Sequence, residues 1–135
     1  MTTIVTDAGF APEDWNAPFV PLADVANHSG AVDLANTDDP EALVPWFDQI
    51  KLVRIAFPAY SDGRGFTIGR RLRMLGYTGR LRAGGRLVAD QYAMARRTGF
   101  DEVEVAPDIA ERQPADQWLF RANWREHDYQ SKLRA

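Results

Sequence analysis

The stretch 57–65, Phe-Pro-Ala-Tyr-Ser-Asp-Gly-Arg-Gly, joins an apolar run to a helical pattern. The run before it, Leu-Val-Arg-Ile-Ala-Phe at 52–57, is typical of a parallel strand, because such strands are covered on both faces. After it, Ile68, Leu72 and Leu75 recur at the spacing of one helix face. A strand that passes through a glycine-rich turn into a helix is the repeating unit of an α/β fold.

The same alternation of strand and helix recurs along the chain. The patterns predict strands at 31–35, 51–57, 79–83 and 101–105, and helices at 39–50, 66–75 and 86–98. Short links between such units require right-handed crossovers and a parallel sheet. We therefore predict an α/β fold with a small, mostly parallel sheet of about four β-α units, either half-TIM-barrel-like or open three-layer.

The 135 residues are enough for one domain with its own core, which we place at 30–106. Residues 1–25 contain three prolines and predict an irregular or hairpin-like N-terminal arm whose aromatic side chains dock on the body. Residues 107–135 predict a C-terminal helical tail. The tail residues expected to face inward are Trp118, Leu119 and Ala122, with Tyr129 and Leu133 as anchors.

The composition excludes several kinds of chemistry. The chain has no cysteine, so disulfides, thiol catalysis and thiolate metal sites are ruled out on it. Only two histidines are present, and no spacing of ligands indicates a metal site or any other cofactor. The N-terminal residues lack the pattern of a secretion signal, and no apolar stretch is long enough to span a membrane. These features predict a cytoplasmic protein with no membrane partner.

The net charge of −3 hides an uneven distribution. Residues 1–50 carry nine acids and no lysine or arginine, whereas residues 51–97 carry eleven bases and two acids. Such blocks can pair within one domain, steer an anionic ligand or match a charged partner. A nucleic-acid partner is not predicted, because the whole chain is acidic and no recognised binding motif accompanies the arginines.

The turn 62–65 carries the residues from which chemistry can be argued. Asp62 is either a general acid or base at a strand end or a cap for the next helix. Gly63 and Gly65 indicate positive backbone dihedrals or a close backbone approach. Arg64 and Arg82 are predicted to project from neighbouring strand ends and to grip an oxyanion between two guanidinium groups.

Three residues of the third predicted helix are expected to support this anion site. Asp90 is predicted to neutralise Arg86 or Arg82 as a structural bridge. Gln91 either orients a ligand or pairs with a backbone group. Arg97 lies in the last turn, where a cation suits the helix dipole.

The motifs of this region resemble a known family. Phe57-Pro58, Asp62 to Gly65 and Arg70 to Tyr77, continued by Gly79 to Ala83 and closed by Gly99-Phe100-Asp101, look like the core pattern of bacterial domain-of-unknown-function family 934. Members of that family are commonly encoded beside assimilatory sulfite reductase and are labelled oxidoreductases of sulfite reduction. The resemblance therefore implies a role in sulfite reduction.

An autonomous oxidoreductase is disfavoured, because the chain has no cysteine and the turn 63–65 lacks the third glycine of a dinucleotide fingerprint. We therefore predict an accessory protein of assimilatory sulfite or sulfate reduction with an arginine-lined oxyanion site, whose partner is sulfite reductase or its oxyanion substrate. Two alternatives stay open. One is a small enzyme that acts on a phosphorylated metabolite with Asp62 as its acid–base group. The other is a non-catalytic homo-oligomeric scaffold in which the charge blocks pair between subunits.

Overall fold

The computed structural model describes residues 2–59 and 61–120, which form one sheet and the helices that pack on it. The strands are β1 Thr3–Thr6, β2 Gly9–Pro12, β3 Phe19–Pro21, β4 Ala31–Leu34, β5 Leu52–Phe57, β6 Arg80–Gly85 and β7 Glu102–Val105. The α-helices are α1 Arg64–Met74, α2 Tyr92–Arg97, α3 Pro107–Arg112 and α4 Ala115–Phe120. Short 3-10 helices lie at Leu22–Asn27, Pro40–Trp46 and Ala89–Gln91.

The strand order across the sheet is β2-β1-β7-β6-β5-β4-β3. Strands β3 to β7 run parallel, and the β1–β2 hairpin joins β7 in the antiparallel direction. The α/β class is confirmed, and the four predicted strands correspond to β4 to β7 with ends that agree within two residues. The arm adds three strands beyond that prediction, because its β1–β2 hairpin and β3 complete the sheet at its two opposite edges.

The hydrophobic core lies on one face of the sheet. Strands β4 to β7 are neighbours in chain order, so right-handed crossovers place their connecting helices on the same side. Alternate strand residues such as Val53, Ile55 and Val103 meet Leu72 of α1 and Tyr92 of α2 in a single buried cluster. The described chain is therefore a two-layer, half-barrel-like sheet, and the three-layer alternative is wrong.

The other face is crossed by residues 13–18, a segment that we call the strap. The strap links β2 at one edge of the sheet to β3 at the opposite edge. In a flat sheet these two strands would lie about 29 Å apart, at about 4.8 Å per strand. The chain between Pro12 and Phe19 spans at most about 25 Å when fully extended. The sheet must therefore curl, and the strap closes its concave face.

The helix predicted at 39–50 is a shorter 3-10 helix, Pro40–Trp46. Its start is confirmed, because the Asp39 side chain accepts a hydrogen bond from the backbone N–H of Glu41 at 3.0 Å. Pro45 lies inside the segment and has no N–H to donate, which opposes a continuous α-helix.

The helix predicted at 86–98 starts later than expected, and Gly84-Gly85 does not open it. Both glycines continue β6, and the helical region begins only at Ala89. The reason lies in the backbone of Gly85, which has a φ of +123° and an approach to Phe57 that a side chain would block. Gly84 and Gly85 therefore end β6, and Gly85 allows the backbones of β6 and β5 to approach closely.

The first part of the tail is helical, as predicted, and Trp118 is buried with its indole N–H donating to the Gln113 carbonyl at 2.9 Å. Leu119 is not inward-facing: it is 42% exposed and lies beside Gly9 at the edge of β2. The predictions for Ala122, Tyr129 and Leu133 lie outside the described residues. Among the helices of 2–59 and 61–120, none combines the length and the apolar character needed to cross a membrane.

Candidate functional site

The predicted anion turn is already occupied by a carboxylate of the chain itself. Asp62 accepts hydrogen bonds from the backbone N–H of Arg64 at 3.1 Å and from its guanidinium at 2.7 Å. The Asn36 amide donates to the same carboxylate at 2.7 Å. These contacts, led by the Arg64 guanidinium, lower the pKa of Asp62 to about 2. The carboxylate sits where an external anion would bind, and it is a poor general base because it is so weakly basic.

The two glycines of this turn do not cradle a ligand by positive dihedrals. Gly63 has a φ of −88°, and its nearest side-chain neighbour is in ordinary contact. Gly65 provides the close approach that was predicted, but a Cβ there would meet the Phe57 ring at 2.5 Å. Its missing side chain therefore lets α1 pack on β5, which is a structural purpose.

Arg64 and Arg82 do not converge, so that part of the site prediction is wrong. The Arg64 side chain is 61% exposed at the start of α1, whereas the Arg82 side chain is 0% exposed inside β6. Strand residues alternate between faces, and Arg82 points to the concave face, away from the helices. Three more residues of β6 follow it, so it does not lie at a strand end.

The predicted supporting residues have other surroundings. Arg86 pairs with Asp108 at 2.7 Å, and Arg82 pairs with acids of the strap and of β7. The structural bridge from Asp90 to one of these arginines stays a prediction. The Gln91 side chain accepts from the backbone N–H of Val88 at 3.0 Å, which is the backbone pairing that was anticipated. Arg97 is the last residue of α2, where the dipole favours a cation.

A network of ion pairs crosses the concave face, and we call it the ion-pair belt. Its strand members are Asp33, Arg54, Arg80, Arg82, Glu102 and Glu104. Asp33, Arg54, Arg82 and Glu102 are direct neighbours across β4 to β7. Opposite charges face each other at the two outer steps, Asp33 with Arg54 and Arg82 with Glu102, which is the favourable arrangement for facing side chains. The middle step sets Arg54 beside Arg82, and Glu104 pairs with both of these arginines.

Two arginines organise the belt. Arg54 grips Asp33 with two hydrogen bonds of 2.6 and 2.8 Å and donates to Glu104 at 3.0 Å. Arg82 donates to Glu102 at 2.5 Å and to Glu104 at 2.9 Å. Glu104 thus bridges the two guanidinium groups, and the four strands are joined by charge-assisted hydrogen bonds as well as by their backbones.

The strap adds two acidic side chains to the belt on the concave face. Glu13 accepts two hydrogen bonds from Arg82, at 2.5 and 2.8 Å, and Asp14 accepts one from Arg80 at 2.6 Å. The Arg82 hydrogen bond is the main reason that the pKa of Glu13 falls below its ordinary value of 4.5. Burial alone would lower the pKa of Arg82, but its carboxylate partners outweigh burial and raise it. Both groups are therefore charged at neutral pH.

An open cavity of about 500 Å³ lies beside the belt at the carboxyl end of the parallel strands, and we call it the cup. Its apolar and backbone lining comes from Pro21, Leu34, Ala35, Ala56, Gly84 and Gly85. Its charged lining comes from Asp33, Asp38, Arg54 and Glu104. Ligands of α/β proteins commonly bind at this end of the strands. The cup is therefore the candidate functional site.

The cup carries more negative than positive charge. Three carboxylates face one guanidinium, which gives its lining a formal charge of −2. The Phe19 ring covers Arg54, with the guanidinium carbon 3.8 Å from the ring centroid. Gly84 leaves room for this arginine, because a Cβ there would lie 3.2 Å from the Arg54 Cδ atom. In 2–59 and 61–120, no group of three or more His, Asp or Glu side chains is arranged to hold a metal ion.

Sequence reasoning missed the belt, although the sequence contains a signal for it. Arg80 and Arg82 are two residues apart in one strand, and Glu102 and Glu104 are two apart in the next. That spacing places each pair on one face of a strand. Read together, opposite charges with period two in adjacent parallel strands indicate a charged sheet face.

Fold and site define a two-layer α/β domain with a half-barrel sheet and a cup at the carboxyl ends of its parallel strands. Residues 31–135 match the family described as a bacterial protein of unknown function, DUF934, and the chain belongs to that family. This confirms the predicted resemblance, and the matched region contains every residue that lines the cup except Pro21. No curated protein and no solved structure gives a significant match to the chain.

Proposed function

We propose that the protein is an accessory component of assimilatory sulfite reduction that acts by binding, without an autonomous redox reaction. Its membership of the DUF934 family across residues 31–135 carries this proposal, because the resemblance to that family implies an association with sulfite reduction. The absence of cysteine from the sequence supports a binding role over a thiol-based one. Sulfite reductase is the partner that we propose.

The site geometry supports the cup, and not the turn 62–65, as the place where this accessory function resides. Asp62 and Arg64 satisfy each other, and Arg82 is buried among carboxylates. The cup is open, has a volume of about 500 Å³, and lies where parallel sheets present their ligands. The oxyanion site in its predicted form therefore has no geometric support from the described residues.

The alternatives receive less support. An enzyme that uses Asp62 as its acid–base group would need a carboxyl with a pKa nearer to neutral, whereas the pKa of Asp62 is about 2. A scaffold that pairs its charge blocks between subunits would need those charges to be available. Acids of 1–50 instead pair with bases of 51–97 inside the chain, as in Glu13 with Arg82 and Asp33 with Arg54.

The growth phenotype of an in-frame deletion strain tests the accessory function. We expect the deletion strain to grow slowly or not at all with sulfate or sulfite as the only sulfur source, and normally with sulfide or cysteine. Sulfite-reducing activity in its extracts should fall as well, and the wild-type gene supplied on a plasmid should restore both. Normal growth of the deletion strain on sulfate would overturn the proposal.

A further inference from the structure

We infer that the cup is a binding site for a small organic cation of the primary-amine class. The inference goes beyond the proposed function and does not depend on it, because it concerns only what the cavity can hold. Three observations carry it: the size and lining of the cup, the pairing of its one arginine with two carboxylates, and the acceptor capacity left on its carboxylates.

The size and lining of the cup are those of a small-molecule site. Its volume of about 500 Å³ lies within the range of ordinary ligand pockets, roughly 300 to 1,000 Å³. The apolar lining from the exposed residues Pro21 and Ala56 can cover a short hydrocarbon chain. A few charged groups converge on this apolar surface, which is the combination that fixes a ligand's orientation.

The arginine of the cup is already paired with two carboxylates. Its Nε and Nη2 donate to Asp33, and its Nη1 donates to Glu104, so two sides of the guanidinium plane are engaged. The Phe19 ring covers a face of the same group. An oxyanion at the remaining N–H donors would lie beside the negative charges of Asp33 and Glu104, which disfavour it.

The carboxylates of the cup retain acceptor capacity. A carboxylate has about four lone-pair positions, and the Asp33 oxygens each accept one hydrogen bond from Arg54. The Asp33 side chain is 37% exposed, so solvent or a ligand can reach it. Asp38 uses one oxygen to accept from the backbone N–H of Ala35 at 2.8 Å. An ammonium group offers three donors and one positive charge, which matches this set.

Isothermal titration of the purified full chain with 1,4-diaminobutane at low ionic strength tests the inference. We expect saturable binding with one site per chain, no binding of the uncharged analogue 1,4-butanediol, and no competition by sodium sulfate beyond that of sodium chloride at equal ionic strength. Absence of saturable binding of the diamine would overturn the inference, and so would equal binding of the diol.

Two variants locate the site. Asp38→Asn keeps an oxygen for the Ala35 N–H but removes one charge, so we expect the Kd to rise roughly threefold or more. Ala56→Phe should abolish binding by filling the cup. Asp48→Asn and Ala42→Phe make the same changes at exposed positions outside the cup, and both should bind like the wild type. Unchanged binding by Asp38→Asn and Ala56→Phe, with melting temperatures near that of the wild type, would place the diamine elsewhere and contradict the inference.

Discussion

Replacing Arg82 by methionine is expected to lower the free energy of unfolding by about 3–5 kcal/mol. The Arg82 side chain is 0% exposed and donates to carboxylates on β7 and on the strap. Methionine fills a similar volume but removes the two hydrogen bonds that Glu13 accepts from Arg82, and it leaves Glu102 with Arg80 alone. Removing one member of a buried ion network is unfavourable because the remaining charges are left desolvated. Urea unfolding followed by tryptophan fluorescence would measure the loss.

The matched control is Arg64→Met, which removes an exposed arginine from a single carboxylate. We expect its unfolding midpoint to stay close to that of the wild type, because exposed ion pairs contribute little. The double variant Arg82→Met/Glu102→Gln should lose less stability than the sum of the two single variants, since the second change removes a stranded charge. An Arg82→Met protein as stable as the wild type would show that the belt does not hold the strands together.

Replacing Gly85 by alanine is expected to lower the free energy of unfolding by about 3–5 kcal/mol, the sum of two effects. The φ of Gly85 is +123°, a conformation that residues with a Cβ adopt only with strain. The added Cβ would also lie 2.5 Å from the Phe57 carbonyl oxygen, which belongs to the backbone of β5 and cannot move aside easily. Thermal unfolding monitored by circular dichroism would detect the change.

Gly76→Ala separates the two effects. Gly76 also has a positive φ, +105°, but a Cβ there would meet no atom within 4 Å. The decrease in the free energy of unfolding caused by Gly76→Ala should therefore be the backbone contribution alone, about 1–2 kcal/mol. It should be clearly smaller than the decrease caused by Gly85→Ala. Equal losses at the two positions would mean that β5 and β6 can separate at their carboxyl ends without a penalty.

The parallel core could be predicted from local patterns because its strands are short apolar runs divided by helical segments. The run at 52–57 and the helix face made by Ile68 and Leu72 each carry their own periodicity. Their order then fixes the crossovers and places the helices on one side of the sheet. Each of these patterns involves residues that are close together in the sequence, so it can be recognised before the fold is known.

The β1–β2 hairpin agrees with the hairpin-like alternative for the arm, but the pairing of the arm with the other strands could not be predicted because it is long-range. The β1 strand joins β7 about a hundred residues away, and the prolines near β2 and β3 indicate irregular structure when taken alone. The curled sheet brings its two edges close enough for six residues to connect them. This closure depends on the curl of the whole sheet, so the strap sequence alone does not predict it.

The site was misplaced for a related physical reason. The turn 62–65 has a composition that suits an anion. However, the Asp62 carboxylate, two residues before Arg64, accepts the guanidinium hydrogen bonds that an external anion would accept. Arg82 belongs to a strand, so its direction depends on the sheet face and not on its distance from the turn. The charge blocks, in contrast, were correctly interpreted as able to pair within one domain, as the contacts of Glu13 and Asp14 with β6 show.

We propose that the cup at the carboxyl end of the parallel strands is the functional end of the protein. Growth on sulfate of the deletion strain carrying single variants tests it most directly. Ala56→Phe, which fills the cup, should fail to restore growth, whereas Ala42→Phe and Arg64→Ala should restore it with equal amounts of folded protein in the cells. Restoration of growth by Ala56→Phe together with failure of Arg64→Ala would contradict the claim and return the function to the turn at Asp62 and Arg64.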